Sequence, residues 1–377
     1  MQWRVRRSKT SRGPTDIAII GCGAVIAELH ASALRKLESR GSARVVALVD
    51  PDRSRATALG RQFRSARPFA TLHEAFSATK PALTIVASPP ALHADHAVAA
   101  LAAGSHVLCE KPMAVQAADA ERMVAAAADA RRSLAIGMTR RLSTGLLEAR
   151  ALIASGALGD RVRFAYRDGG VYGWPVSTSA MFSRATAGGG VLFDVGSHAI
   201  DYLTALFGTP SVTAYADDAQ REGVETNCVI ELAFPAASGF AQLSWNQPLV
   251  TGLDIVGENA ELRLNPYRPD LILWRPRSGR WQARESRATL PRDVETRPER
   301  GAPLTYYEAI YYQLVQVLRA VRYGELVPVD GEEGLAVVRA IDTCYRQAAP
   351  LRLPWLAAAE QARADERHWS RERWLAA

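Results

Sequence analysis

The sequence predicts an α/β protein: a doubly wound parallel sheet, followed by an α/β domain with an open, mainly antiparallel sheet. Two observations predict it. From residue 16 to about 137, short apolar runs alternate with longer amphipathic stretches, the pattern of a parallel sheet covered by helices on both faces. After about residue 140 the alternation stops, and closely spaced strand-like runs are joined by Gly, Pro and Asn turns, as in an antiparallel sheet. A chain of 377 residues has room for two such cores.

The chain opens with a basic tail, residues 1–14. It holds Arg4, Arg6, Arg7, Lys9 and Arg12 and no acid, and removing these five from the net charge of +7 leaves about +2. A tail of this composition is solvated and disordered, so the charge predicts no nucleic-acid or membrane partner. Arg6-Arg7 lacks the separate apolar segment and small-residue cleavage site of an export signal. No apolar run is long enough to span a bilayer. Cys22, Cys109, Cys228 and Cys344 form no C-x-x-C pair. A cytoplasmic protein with reduced thiols is expected.

In the first half, DIAIIG, RVVALVD, ALTIVAS, HVLCE and LAIGM are nearly continuous in hydrophobicity, as strands buried on both faces must be. Between them AELHASALRKLES, RSRATALGRQF, LHADHAVAALAAG and AADAERMVAAAADARR read as helices. No fixed repeat period appears, which excludes a solenoid. In the second half STGLLEARALIASG reads as a helix. RVRFAYRD, SVTAYAD, TNCVIELAF, GFAQLSW, LDIVG, AELRLN and LILWRPR read as strands, and 306–322 and 332–347 as helices. Segment 277–303, rich in Arg, Pro and Glu, reads as a mobile loop, and 351–377 as a charged C-terminal arm with Trp369 and Trp374. The expected domains are therefore 15–138 and 139–350.

Where the first apolar run ends, GCGAVI sets Gly21 and Gly23 between a strand and a helix. A glycine-rich turn in that place brings backbone N–H groups against a pyrophosphate. The third position of the fingerprint is Ile26, in place of Gly or Ala. The second run ends in Asp50, whose carboxylate suits the hydroxyls of an adenosine ribose. A dinucleotide site is expected, with Gly21, Gly23, Ala24, Val25 and Asp50; a structural tight turn is the plainer alternative. The carboxylate repels a 2′-phosphate and favours NAD. Arg53, in VDPDRSR, is placed to meet such a phosphate, so NADP stays open.

Ligands of parallel sheets sit beyond the carboxyl ends of the strands. Ser88 and Pro89, with His93 just beyond, fall there. So do Glu110 and Lys111 in HVLCEKP, a charged pair straight after a buried run. Lys and Glu are rarely buried without partners; solvent alone would explain them, but the ligand edge gives them another reading. Later, GGGVLFDVGSHAIDYLTALFG sets Asp194 and His198 four residues apart. On an α-helix positions i and i+4 share a face. A carboxylate beside an imidazole raises its proton affinity and orients it, as a general acid/base requires. Asp201 lies near the same face. A lone histidine is more often a core or surface residue, but the three preceding glycines, read as flexible, favour a site. No further ligand spacing supports a metal, and none is expected.

Together these stretches resemble the Gfo/Idh/MocA family, the glucose–fructose oxidoreductase, inositol dehydrogenase and rhizopine-catabolism oxidoreductases. IIGCGAV, LVDPD, IVASPPALHADHAVAALAAGSHVLCEKPMA, IGMTRR, GGGVLFDVGSHAIDYL and VDGEEGLAVVRAIDTCY carry the resemblance. Glu-Lys-Pro followed by D-x-G-x-H-x-x-D is specific in combination. The resemblance implies a Rossmann domain, then an α/β domain with an open sheet through which family members pair. A homo-oligomer, dimer or tetramer, follows. It implies hydride transfer between NAD or NADP and a secondary alcohol or ketone of a sugar, cyclitol or related polyol. Lys111 corresponds to the lysine beside the nicotinamide, Asp194 and His198 to the rest of a catalytic trio, and His198 to the proton acceptor. Arg140 matches a position near substrate, and a cis peptide is expected before Pro112.

Tyr172 and Trp174, in GGVYGWPVS, offer aromatic faces to a sugar ring or pack a loop; Trp174 is taken as a substrate contact. Trp245, in AQLSWNQP, is expected to pack in the sheet. Two other readings stand beside the dehydrogenase. An NAD-dependent glycoside hydrolase would need a further base, Tyr166 or Tyr172, and would accumulate no reduced cofactor. A non-catalytic dinucleotide-binding sensor would have no need to keep Lys111, Asp194 and His198 together.

Overall fold

The computed structural model describes residues 13–175, 182–219, 223–284, 286, 288–295, 299–300 and 305–352. The basic tail through residue 12 and most of the C-terminal arm, with Trp369 and Trp374, lie outside the described residues. The chain divides into two compact units, Met1–Leu142 with Thr289–Leu335, and Ser143–Ala288 with Ala336–Ala377. The sequence pattern leaves 289–335 with the second half; the structure groups it with the first. Tertiary contacts explain this. Helix Tyr306–Tyr323 packs beside helix Ala31–Ser39 and the turn Thr139–Leu142. Arg322 Nε donates to Thr15 Oγ1 at 2.9 Å, and Gln313 Nε2 to the Ile136 carbonyl at 3.3 Å.

The first unit is built on six strands: β1 (Thr15–Ile20), β2 (Ala43–Val49), β3 (Arg67–Phe69), β4 (Leu83–Val86), β5 (His106–Cys109) and β6 (Leu134–Ile136). All are parallel, in the order β3-β2-β1-β4-β5-β6. Ile17 and Ile19 of β1 are wholly buried, and each contributes about 1.5–3 kcal/mol through that burial. The strand order reverses between β1 and β4, which opens a crevice at their carboxyl ends. Strand β3 and the helix Leu72–Ala78 are not expected from the sequence. Only Phe69 of β3 and Ala75 of that helix are buried, so no apolar run or stripe marks either. The helix is instead started by Thr71, whose hydroxyl accepts the Glu74 N–H at 3.2 Å.

In the second unit, β7 (Val162–Gly169), β8 (Ser211–Asp217), β9 (Asn227–Phe234), β10 (Ala237–Ser244), β11 (Gly252–Gly257), β12 (Ala260–Asn265), β13 (Arg268–Pro276) and β14 (Gln282–Arg284) form a sheet with a last strand, Ala349–Pro350. The order is β14-β13-β12-β11-β7-β10-β9-β8, then Ala349–Pro350. Pairing is antiparallel except between β7 and β10 and between β8 and the last strand. Strand β7 alternates, burying Val162, Phe164, Tyr166 and Asp168. Phe164 stacks on Phe207 of helix Ser197–Phe207 with ring centroids 5.5 Å apart, so that helix covers this face. Segment 277–303, expected as a mobile loop, contains β14 and a two-stranded ribbon, Thr289–Leu290 with Glu299–Arg300. Leu290 and Val294 are buried, 5% and 0% exposed, and these few apolar anchors hold an otherwise polar stretch.

Candidate functional site

In the first unit the chemistry-bearing residues leave one sheet edge. Parallel strands share a carboxyl edge, and β1 delivers Gly21 and Gly23 to it, β2 Asp50, β4 Ser88 and Pro89, β5 Glu110 and Lys111, and β6 Arg140. Gly21 has φ +87°, and a Cβ there would lie 2.5 Å from the Ala87 carbonyl oxygen; only glycine fits. A Cβ at Gly23 would meet nothing within 4 Å. That open side is the approach a bound pyrophosphate needs. The Cys22 N–H donates to Asp50 Oδ2 at 2.9 Å, and the Asp52 N–H to Oδ1 at 2.9 Å. Asp50 thus ties the glycine turn to β2, and each of its oxygens has a second lone pair for a ribose hydroxyl. Arg53 is exposed at the start of helix Arg53–Gly60. Ala24 and Val25 are half-buried at the entry to the next helix, whose first turn, Val25–His30, is wound as a π-helix and buries Ile26 completely.

That turn also carries a residue missed in the sequence. His30 is fully buried, and its Nε2–H donates to Glu110 Oε1 at 2.6 Å. The other Glu110 oxygen accepts the Lys111 N–H at 3.3 Å. A Cβ at Gly137 would lie 2.9 Å from it. Burial would raise the Glu110 pKa, but the His30 hydrogen bond and the Lys111 charge outweigh it and hold the carboxyl below its ordinary value of 4.5. Glu110, grouped with the cofactor residues from sequence, is 8% exposed and spends its carboxylate on this brace. The signal was present: His30 sits on the apolar stripe of its helix with Ile26, Leu29, Ala33 and Leu34.

His93 is 1% exposed. Its ring nitrogens lie 2.9 Å from the Pro112 carbonyl oxygen and 2.7 Å from that of Ser88, so it links the loops after β4 and β5. Burial pushes its pKa down. Ser88 Oγ in turn contacts His96 Nδ1 at 2.9 Å. Lys111 is half-buried, the Lys111–Pro112 peptide is cis, and Arg140 is 6% exposed in the short turn Thr139–Leu142.

In the second unit, Gly188 closes the short helix Arg184–Ala187 with φ +84°. Asp194 follows in a π-helical turn, Leu192–Gly196, and His198 opens onto the helix Ser197–Phe207. A regular α-helix would set both residues on one face; the π-helical turn is wider and changes the angle between them. His198 is 4% exposed and Asp201 wholly buried. The Trp245 indole N–H donates to Asp194 Oδ2 at 3.2 Å. Trp245 is buried, as expected of a sheet residue, but its polar edge serves the candidate acid/base pair. Tyr172 packs on it, ring centroids 4.9 Å apart, and Phe182 completes the aromatic group at 5.6 Å from Tyr172. The Tyr172 hydroxyl is pushed up to about 12, first by burial and then by the Asp194 charge. Trp174 is half-buried, and the residues that follow Pro175 lie outside the described part. Of glycines 188–190, read as flexible, Gly189 and Gly190 are buried and packed. A Cβ at Gly189 would lie 1.8 Å from the Tyr345 hydroxyl, and one at Gly190 1.9 Å from the Glu225 carbonyl oxygen.

Among the described residues, no group of three His, Cys, Asp or Glu side chains is placed to hold a metal ion.

Comparison with known proteins agrees with this architecture. Residues 15–138 match a family described as an oxidoreductase family with an NAD-binding Rossmann fold, and 146–263 match the GFO/IDH/MocA C-terminal domain. D-glucoside 3-dehydrogenase of Escherichia coli (strain K12) is 32% identical over 59% of this chain and 62% of its own length, so less than two thirds of that relative is matched. The scyllo-inositol 2-dehydrogenase (NADP(+)) of Bacillus subtilis (strain 168) is 27% identical over 86% of this chain and 91% of its own. Levoglucosan dehydrogenase, solved with NADH and levoglucosan, shares the fold with a TM-score of 0.75 at 19% identity, covering 92% of this chain and 98% of that one. Aldose-aldose oxidoreductase from Caulobacter crescentus, solved with glycerol, does so with a TM-score of 0.74 at 24% identity over 89% and 97%. The chain belongs to the GFO/IDH/MocA oxidoreductase family, with an NAD-binding Rossmann domain over residues 15–138.

Proposed function

We propose that this protein is a nicotinamide-dependent dehydrogenase or reductase acting on a secondary alcohol or ketone of a sugar, cyclitol or related polyol. One observation carries the reading: the open glycine turn, Asp50 and Lys111 all leave the same edge of one parallel sheet. The names of the relatives, a glucoside and a scyllo-inositol dehydrogenase, support the substrate class.

The bound nicotinamide would supply hydride acceptance or donation. The backbone of Gly21, Gly23, Ala24 and Val25 would hold its pyrophosphate, Asp50 its adenosine ribose, and Ser88 and Pro89 would line the crevice where the strand order reverses. Asp50 favours NAD; Arg53 keeps NADP open, the cofactor in the name of the Bacillus subtilis relative. As an alcohol is oxidised, its hydroxyl must give up a proton. His198 takes it, and the Asp194 charge stabilises the imidazolium that forms. Lys111 donates to the developing alkoxide, which lowers the barrier most where charge appears. Arg140 and Trp174 contact the polyol. The glycosidase reading gains nothing from its extra base: Tyr172 is pushed up to about 12, and Tyr166 is wholly buried with its hydroxyl on Asp168 at 3.4 Å. The reading extends to a cytoplasmic homo-oligomer, dimer or tetramer, paired through the open sheet face; four buried thiols suit a reducing compartment.

The test mixes purified protein with NAD or NADP and a panel of sugars, inositols and aminocyclitols, and follows the absorbance of reduced nicotinamide; ketoses with reduced cofactor probe the reverse direction. Wild type turns over at least one substrate. Lys111→Ala and His198→Ala each lose on the order of 100-fold or more in turnover while still binding dinucleotide. Turnover retained in both variants would sink the assignment.

A further inference from the structure

Glu225 lies just before β9 and is wholly buried. Its Oε1 accepts three hydrogen bonds: from the Gly190 N–H at 2.9 Å, the Leu192 N–H at 3.0 Å and the Tyr345 hydroxyl at 2.8 Å. Its backbone carbonyl accepts a fourth, from the Val191 N–H at 2.9 Å. Taking a carboxylate out of water costs several kcal/mol unless donors replace the water; here they come from the segment that leads into Asp194. The adjacent Thr226 carbonyl accepts the Trp245 N–H at 2.8 Å, and the Trp245 indole holds the Asp194 carboxylate. Two consecutive residues therefore fix both the backbone that starts the Asp194 turn and the donor that orients its side chain. The glycines complete the device. Gly190 lets the chain lie against the Glu225 carbonyl, and Gly189 makes room for the Tyr345 hydroxyl.

We propose that Glu225 is a positioning residue: it touches no substrate, and it clamps the Asp194–His198 turn in the orientation in which that pair moves the proton. The proton transfer rests on the function proposed above; the clamp itself does not. Glu225→Ala leaves three donors without their acceptor. Glu225→Asp keeps the charge but withdraws it by one methylene. Glu225→Gln keeps an acceptor oxygen in place.

The experiment has two readouts. One is the Trp245 indole N–H resonance in a ¹⁵N-labelled sample, assigned by its loss in Trp245→Phe. The other is steady-state kinetics with dinucleotide titration. Glu225→Ala and Glu225→Asp move the indole resonance and lower kcat on the order of 10–100-fold, the cost of misplacing reacting groups, with KM and dinucleotide Kd unchanged. Glu225→Gln restores the resonance and most of kcat. A loss of stability alone would lower Tm and leave the resonance in place. If Glu225→Ala does not fold, Glu225→Asp decides. A wild-type resonance in the variant that folds overturns the clamp, and a wild-type kcat overturns its positioning role. A wild type inert in both directions across the polyol panel overturns the functional reading, and the indole resonance still decides the clamp.

Discussion

In the first unit every residue assigned a chemical role stands at or just beyond the carboxyl end of a strand, so the sheet itself delivers it. In the second, Asp194 and His198 lie on a helix whose start is held by Glu225 and Tyr345 and whose acid is held by Trp245. One region takes the placement of its residues from the ends of strands, with long-range bonds such as His30–Glu110 bracing it; the other depends on contacts between distant parts of the chain for the placement itself. The lesson concerns legibility as much as architecture. A turn such as Gly21–Cys22–Gly23 announces its job because strand, turn and helix are adjacent in sequence. Glu225 sits in a short loop with no periodicity, and nothing in its neighbourhood says which helix it will meet.

The largest effect is expected where a buried charge loses its partner. His30→Ala leaves the Glu110 carboxylate buried and without its 2.6 Å donor, a loss of about 3–5 kcal/mol, measured by chemical denaturation. The pH dependence has a definite sign. The Glu110 carboxyl is held below its ordinary value, so the folded state binds its proton less readily than the unfolded chain does. Its contribution is complete at neutral pH and is lost as pH falls from about 4.5 through the depressed value. Glu110→Gln removes that titration, and its stability falls less steeply than wild type's over the same acid range.

Next in size is a pair of glycine substitutions. Gly190→Ala forces a Cβ to within 1.9 Å of a backbone carbonyl, an overpacking cost of about 1–3 kcal/mol or more, and it lowers turnover because the Asp194 turn shifts. Gly23→Ala meets no atom within 4 Å and leaves stability within about 0.5 kcal/mol. It weakens NAD binding by intruding where the pyrophosphate approaches. Thermal melts and NAD titrations on the two variants separate a glycine required by packing from one required by ligand.

Much of the fold is visible in the sequence because hydrophobic runs map onto strands: five of the six parallel strands and the antiparallel runs of the second unit appear where the pattern puts them. What escapes is short or polar, such as β3 with its single buried residue. The grouping of 289–335 with the first unit escapes too, since it depends on long-range bonds from Arg322 and Gln313. The placement of Gly21, Gly23, Asp50 and Lys111 at the carboxyl edge of the parallel sheet is legible from the run of strands alone. Glu110 and His93 are legible as residues of the edge, but as braces only once His30 and two carbonyl oxygens are seen around them. Trp245 shows its hydrophobicity in the sequence and hides its indole N–H.

The most direct measurement compares Trp245→Phe with wild type for both turnover and NAD affinity on the same preparations. The variant keeps an aromatic ring and removes the donor to Asp194. Turnover is expected to fall about 10- to 100-fold, the worth of a hydrogen bond to a charged group, while NAD Kd stays unchanged. Wild-type turnover in the variant, or a loss of NAD affinity in step with turnover, would contradict it.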